Sequence, residues 1–284
     1  MSLADAGAVI RAAAQTLSSD TPRLDAELLL ACVLGVARND LLLRNPPITA
    51  AQRVEFEALL ARRRAHEPIA YITGRQEFWS LDLRVTADVL IPRPDSETLV
   101  EAAVALRKGC PPGNILDLGT GSGALLLAAL AEWPLARGVG VDRSAAAVAV
   151  ARSNAERLGF AARAGFVVGD WATALCGRFD LLLCNPPYVV DTAALMPDVA
   201  HFEPATALYA GSDGMADYRR LLPDTGRLLA ADGLALFEFG PGQETALVAM
   251  GEALGFAATV YRDLAGRPRA LALSYGVGKG QASG

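Results

Sequence analysis

Histidine is nearly absent from this chain, with only His66 and His201 among 284 residues, and the four cysteines, Cys32, Cys110, Cys176 and Cys184, lack paired spacing. Neither a zinc site nor a disulfide framework is supported, and no resident metal is expected. No uninterrupted apolar run reaches the roughly 18 to 20 residues that span a bilayer, and residues 1–14 lack the basic start of a signal peptide. The expectation is a cytoplasmic protein without a membrane segment. An excess of positive charge is missing as well: the formal charge is −5 and the isoelectric point about 5.2. Such a chain lacks the broad basic surface that grips phosphate backbones, so direct nucleic-acid binding is not expected. The one basic run, Arg62-Arg63-Arg64, reads as a solvated helix end. Against these absences, 52% hydrophobic residues and a mean hydropathy of +0.28 supply one large core, with material left for a smaller second domain.

The chain is organised around residues 179–188, Phe-Asp-Leu-Leu-Leu-Cys-Asn-Pro-Pro-Tyr. Leu181 to Cys184 is a short apolar run of the kind covered on both faces in the middle of a parallel sheet. Pro186 and Pro187 then end the strand; with no N–H and a fixed φ they stiffen the turn after Asn185 and leave its carbonyls free. On Asn-Pro alone this is an ordinary strand exit. With the tyrosine, it is also a preformed corner for a planar NH₂ group. The Asn185 side-chain oxygen and the Pro186 carbonyl can accept the two N–H bonds, while the Tyr188 ring covers the plane. Asn185, Pro186 and Tyr188 are the candidate catalytic residues and, with Pro187, the candidate substrate-binding set.

Residues 1–67 show helical apolar spacing, as in Leu24, Leu28 and Leu29 or Val54, Leu59 and Leu60. Residues 18–22, Ser-Ser-Asp-Thr-Pro, cap one helix, Asn45-Pro46-Pro47 breaks the next, and Thr49 can cap a segment ending near Arg64. A small helical bundle for substrate docking is predicted. In residues 68–90 the period changes, and Ile69, Tyr71 and Ile72, then Phe78, Leu81, Leu83 and Val85, read as the strands of a linking hairpin around Gly74. Residues 91–276 form the expected catalytic domain, beginning with a helix capped by Asp95 or Ser96. Beyond Pro111, strands and helices alternate as in a doubly wound α/β sheet, with seven strands placed at 114–118, 138–142, 165–169, 181–185, 234–238, 257–261 and 269–274. Residues 189–214, interrupted by Pro197 and Pro204, break that rhythm as a loop able to close over a ligand, and 277–284 read as a flexible tail.

The first of these strands runs into a loop, Asp117-Leu118-Gly119-Thr120-Gly121-Ser122-Gly123, ahead of a helix beginning near Ala124. Glycines at 119, 121 and 123 let the main chain approach a ligand closely, and the helix offers its N-terminal N–H groups. The relaxed G-x-G-x-x-G/A pattern through Ala124, with Asp142 about 20 residues on, also describes a nicotinamide dinucleotide site. Asp117 separates the two readings, because an acid there attracts a cation and repels a pyrophosphate. S-adenosylmethionine carries a sulfonium and an ammonium and has no phosphate. The candidate cofactor-binding residues are Asp117, Gly119, Thr120, Gly121, Ser122, Gly123, Asp142, Trp171 and Asn185. Asp142 would hold the ribose hydroxyls or cap the helix near Ser144, and Trp171 would face the adenine or pack in the core.

The glycine loop with Asp117, Asp142, Trp171 and Asn185-Pro186-Pro187-Tyr188 resembles the protein-(glutamine-N5) methyltransferases of the HemK/PrmC type, which modify bacterial class 1 peptide chain release factors. The resemblance covers nearly the whole chain, including Pro-Arg-Pro-Asp-Ser-Glu at 92–97, Phe202-Glu203-Pro204, Gly-Ser-Asp-Gly at 211–214 and the stretch from Asp263 to Arg269. Cys184 and Ser96 stand where such enzymes have serine and threonine. It implies a class I S-adenosylmethionine-dependent methyltransferase fold, a Rossmann-like seven-stranded sheet with a small N-terminal helical domain. The implied target is the glutamine of a Gly-Gly-Gln loop. A methyltransferase acting on exocyclic amines of nucleic-acid bases faces the same planar NH₂ geometry, and the charge balance speaks against it.

Overall fold

The computed structural model describes residues 5–173 and 175–275, and the expected tail at 277–284 lies outside them. The chain forms two compact units, one made of Met1–Arg75 with Leu195–Phe202, the other of Gln76–Ala194 with Glu203–Gly284. Among the described residues no helix is long and apolar enough to cross a membrane.

In the first unit, α1 (Ala6–Ala14), α2 (Pro22–Leu34), α3 (Arg38–Arg44) and α4 (Ala50–Arg64) bury Val9, Ile10, Leu29, Leu30, Leu41, Phe56 and Leu60 in one core. Their ends follow from local chemistry. Asp5 accepts the Ala8 N–H, Pro22 opens α2, Asn45 closes α3 at φ 40, and Thr49 and Gln52 form a reciprocal capping box. Ile69 to Ile72 is not the expected strand but lies within a short helix, α5 (Ile69–Thr73). Pro68 starts it and Gly74, at φ 72, ends it, while Ile69 and Ile72, three residues apart, turn into the bundle core. The arginine run also differs in part from expectation. The Arg63 side chain is 9% exposed and bridges Asp25 at 2.8 Å and Asp198 at 2.6 Å; Arg62 pairs with Glu67, and Arg64 bonds Thr16. A guanidinium without a partner would not be buried there, so Arg63 turns inward to an ion pair while Arg62 and Arg64 keep the exposed helix end the sequence suggested.

The second unit opens with the hairpin, shorter than expected: β1 (Arg75–Phe78) and β2 (Leu81–Arg84) join through Trp79 and Ser80, both at positive φ as a two-residue turn requires. A 3₁₀ turn at Pro94–Ser96 leads into α6 (Glu97–Leu106). Then come β3 (Asn114–Leu118), α7 (Ala124–Glu132), β4 (Arg137–Asp142), α8 (Ala145–Arg157), β5 (Ala164–Val168) and β6 (Phe179–Cys184). The chain finishes with α9 (Pro197–Phe202, in the first unit), α10 (Ala216–Leu228), β7 (Leu229–Glu238), α11 (Glu244–Ala253), β8 (Phe256–Arg262) and β9 (Pro268–Tyr275). All seven expected strands are present, in the order β5-β4-β3-β6-β7-β9-β8, with β9 alone antiparallel to both neighbours.

Alternation along each strand explains the two cores. Ile115, Leu181 and Leu183 pack on one face with Leu99 of α6 and Leu127 of α7; Leu116, Leu182 and Phe237 pack on the other with Tyr218 and Leu222 of α10. The strand order reverses between β3 and β6, the topological switch point where doubly wound sheets open a crevice at their carboxyl ends. Leu118 pairs with Cys184, so the glycine loop and the Asn-Pro-Pro-Tyr turn leave the sheet side by side.

Candidate active site

A crevice of about 770 Å³ opens at this switch point. Gly119, Gly121, Asp142, Trp171, Asn185 and Pro187 line it, with Asp88, Val89, Leu90, Pro204, Thr206 and Ala207. Of the expected cofactor residues, Gly119, Gly121, Asp142, Trp171 and Asn185 reach its wall, whereas Asp117, Thr120, Ser122 and Gly123 do not. Pro186 and Tyr188 also stand off the wall. The expected loop at 189–214 holds structure of its own, α9 and a 3₁₀ turn at Ala205–Ala207, and Tyr209 pairs back with Val189.

The loop is shaped by what lies beneath it. Gly121 sits at φ 52, and nothing lies within 4 Å of where its Cβ would be: a cradle that a side chain would fill. Asp142 braces this residue, accepting the Gly121 N–H on Oδ2 and the Ser144 N–H on Oδ1, each at 2.9 Å. Ser144, not Asp142, caps α8, its hydroxyl accepting the Ala147 N–H. A carboxylate has about four lone-pair sites, so Asp142 keeps capacity for two ribose hydroxyls. Asp142→Ala is expected to weaken S-adenosylmethionine binding by about 1 to 3 kcal/mol in a calorimetric titration of the folded variant. Unchanged affinity would remove Asp142 from the site. Trp171 packs in the core and also lines the crevice. Its Nε1–H donates to Asp217 at 3.1 Å.

Asp117 is buried to 1% exposure under the loop; its Oδ2 accepts the Thr120 hydroxyl at 2.6 Å, while Oδ1 has no partner. Burial raises its pKa to about 7, against the Thr120 hydrogen bond and with a smaller push from Asp142. Asp117 lies under the loop and off the crevice wall, so whatever charge it carries when ionised is felt through the loop rather than by contact. Among the described residues four carboxylates line the crevice, Asp88, Asp142, Asp217 and Asp170, the last paired with Arg220, against the lining guanidinium of Arg143, a balance that fits a cationic cofactor and repels a pyrophosphate. The raised value also fixes a sign. Between the ordinary aspartate range near 4 and about 7, the folded chain keeps a proton that the unfolded chain has released. Asp117 therefore makes stability fall as pH rises through that window, by about 4 kcal/mol in all. Asp117→Asn is expected to flatten this component in denaturant titrations from pH 4 to 8. An identical pH slope in the variant would contradict the burial argument.

The Asn185 side chain donates its Nδ2–H to Ser96 Oγ at 3.1 Å, which leaves Oδ1 as its polar atom for a ligand. Asp95 or Ser96 was expected to cap α6, and Ser96 stands at that position. It makes no cap bond, because the preceding 3₁₀ turn holds it at φ −68 and ψ −18, already helical, and its hydroxyl turns to Asn185 instead. The rest of the turn is fastened from behind. Gln243 donates to the carbonyls of Tyr188 and Gly214 and accepts the Gly240 N–H. The Tyr188 hydroxyl lies 3.4 Å from Glu238, and burial, then Glu238, pushes its pKa up, so the phenol stays protonated. Glu203, 6% exposed, accepts from the Ile91 N–H and pairs with Arg93. That clasp joins the chain just after Asp88, Val89 and Leu90 to the chain just before Pro204, Thr206 and Ala207, all of which line the crevice. Ser96, Arg93 and Glu203 lay in stretches that carry the family resemblance but were given no site role, and Gln243 was marked only by the glycine-rich stretch around it.

Residues 8–74 match the PrmC N-terminal domain and residues 111–243 a methyltransferase domain. The release factor glutamine methyltransferase of Rhodospirillum rubrum is 46% identical over 256 residues, covering 89% of this chain and 78% of that protein. Those of Caulobacter vibrioides and Cereibacter sphaeroides are 42% and 41% identical, over 83% and 90% of this chain and 83% and 96% of theirs. Among solved structures, the catalytic domain of hMettl16 in complex with the MAT2A 3′UTR hairpin 6 superposes with a TM-score of 0.57 at 16% identity, covering 81% of this chain and 84% of that one. A methyltransferase from Pyrococcus furiosus superposes at 0.51 and 17% identity, covering 78% and 98%. These two share the fold. With a methyltransferase domain behind a PrmC-type N-terminal domain, and relatives above 40% identity matching along most of their length, the chain belongs to the release factor glutamine methyltransferase family and is a methyltransferase.

Proposed function

We propose that this enzyme transfers a methyl group from S-adenosylmethionine to the side-chain amide nitrogen, N5, of the glutamine in the Gly-Gly-Gln loop of class 1 peptide chain release factors, in the cytoplasm. The observation that carries the reading is the Asn185 amide, anchored through Nδ2 on Ser96 with Oδ1 left over at the crevice wall. A glutamine amide nitrogen is a poor nucleophile because its lone pair is delocalised into its carbonyl. Two acceptors, Asn185 Oδ1 and the Pro186 carbonyl, hold its N–H bonds and aim the nitrogen. The same oxygens stabilise positive charge as it develops on that nitrogen. Because the methylated amide cation is strongly acidic, it sheds its proton to water or a nearby carbonyl, and no strong base is needed beforehand.

When bound, S-adenosylmethionine supplies an electrophilic methyl on a sulfonium. Gly119 and Gly121 would admit it against the loop, Asp142 would take the ribose hydroxyls, the Trp171 ring would flank the adenine, and Asp117, when ionised, would add negative charge from below. The helical unit is proposed as the docking surface for the release factor, since a loop glutamine alone offers little contact area. The test is incubation with methyl-labelled S-adenosylmethionine and either a purified release factor or nucleic acid. Label in the release factor is expected. Label in nucleic acid alone would replace this reading with exocyclic-amine methylation.

A further inference from the structure

Two residues that the reaction above does not use, Arg93 and Glu203, meet beside the crevice. Arg93 stands between Pro92 and Pro94, and Glu203 precedes Pro204. The Glu203 side chain is 1% exposed; its Oε2 accepts the buried Ile91 N–H at 3.2 Å and its Oε1 receives the Arg93 guanidinium. Leu90, next to Ile91, lines the crevice, and so does Pro204, next to Glu203. We infer that Glu203 is a positioning residue for the cofactor: through Ile91 and Arg93 it locks together two stretches of crevice wall, at 88–90 and 204–207, so that the crevice keeps its shape around bound S-adenosylmethionine. The inference rests on the reading of that crevice as the cofactor site.

The way the wall is built carries the argument. Gly119 follows β3, Asp142 ends β4, Gly169 and Trp171 follow β5, and Asn185 follows β6, so the ladder of the sheet holds that part of the wall. The stretches at 88–90 and 204–207 belong to no strand. Beyond the second stretch, the Leu208 carbonyl and the Ala210 N–H bond Val189 at 3.0 and 2.9 Å; before it, Glu203 reaches Ile91 and Arg93. The clasp thus fixes one end of that stretch and joins it to the first. Proline stiffens both sides. Pro94 biases Arg93 to extended backbone, seen at φ −101 and ψ 143, and Pro92 and Pro204 bias Ile91 and Glu203 in the same way. A shift at either partner is therefore passed on to the wall. The chemistry also calls for an acid at 203. A buried N–H needs an acceptor, and a buried carboxylate needs both hydrogen bonds and an opposite charge, so Ile91, Arg93 and Glu203 satisfy one another. Without the carboxylate, the 88–90 stretch is freed to move toward water.

The test compares Glu203→Ala, Glu203→Gln, Arg93→Ala and the double alanine variant with the wild type. The readouts are calorimetric titration with S-adenosylmethionine, a labelled-cofactor chase for the dissociation rate, and hydrogen exchange of peptides covering 88–93 and 203–208 before any cofactor is added. Expected for Glu203→Ala are about tenfold weaker binding, carried mainly by faster dissociation, and faster exchange of both peptides. The KM for cofactor should rise far more than kcat falls. Glu203→Gln keeps an acceptor for Ile91 but loses the ion pair, and should lie between Glu203→Ala and the wild type. Because both residues act through one clasp, the double variant should bind no more weakly than Glu203→Ala. Wild-type affinity and dissociation in a folded Glu203→Ala, or losses that add in the double variant, would overturn the inference. A lowered melting temperature with unchanged binding would overturn it too, since that marks a merely structural tie. If Glu203→Ala fails to fold, Glu203→Gln and Arg93→Ala, the latter at a side chain already 37% exposed, decide by the same readouts. A wild type that binds no S-adenosylmethionine would overturn the crevice reading and this inference together, whereas binding that the variants leave unaltered would overturn this inference alone.

Discussion

Asn185→Ala is expected to lower methyl transfer by about 10²-fold or more, roughly 3 kcal/mol of transition-state stabilisation, while changing cofactor affinity far less. The asymmetry follows from where the side chain acts. In the proposed reaction its oxygen would meet an amide N–H that is neutral before transfer and part of a cation during it, so the interaction would strengthen as the methyl moves. Ser96 and the two prolines hold that oxygen in place beforehand, so little reorganisation accompanies the step. Asn185→Asp keeps an acceptor but loses the Nδ2–H that ties the side chain to Ser96, and adds negative charge beside the acidic crevice. It should retain partial activity with equal or tighter cofactor binding. Single-turnover rates with calorimetry on the same preparations separate the two effects; full turnover by Asn185→Ala would contradict the clamp.

Gly121→Val is expected to abolish cofactor binding in practice, a loss of about 3 kcal/mol or more, beyond that at Asp142. Two effects add. A β-branched residue at φ 52 is strained wherever it stands, and here its side chain would occupy space that no protein atom fills. The Gly121 N–H bonded to Asp142 would also shift as the loop relaxes, carrying the proposed ribose acceptor with it. Gly121→Ala separates strain from occlusion by adding one methyl to the same backbone. It should bind with intermediate affinity in calorimetry, with melting curves reporting the strain. Wild-type affinity in a folded Gly121→Val would place the cofactor elsewhere.

What the sequence revealed and what it hid differ by the range of the interaction involved. The seven strands were legible because apolar runs between glycines and prolines are local facts, and the Thr49 capping box because its partner is three residues away. Five residues, Ile69 to Thr73, were too few for the period to decide: Ile69 and Tyr71 fit a strand, while Ile69 and Ile72 fit the helix that the bundle core selects. Asn185 announced itself through its prolines. Its anchor, Ser96, is 89 residues earlier, and nothing local distinguishes a hydroxyl that caps a helix from one that reaches across the sheet. Glu238 reads as the polar end of an apolar strand, yet it is 1% exposed, which no local pattern announces. Arg63 hid in the same way, as its second partner, Asp198, follows 135 residues later.

The central claim is that the crevice presents one planar amide, that of a Gly-Gly-Gln glutamine, to the sulfonium methyl. The most direct measurement is peptide mass mapping of a purified release factor after reaction with this enzyme and methyl-labelled S-adenosylmethionine, alongside a release factor whose Gly-Gly-Gln glutamine has been replaced. A single added methyl on that glutamine, absent from the replaced protein, is the predicted result. A methyl on any other residue, or equal labelling of the replaced protein, would contradict it.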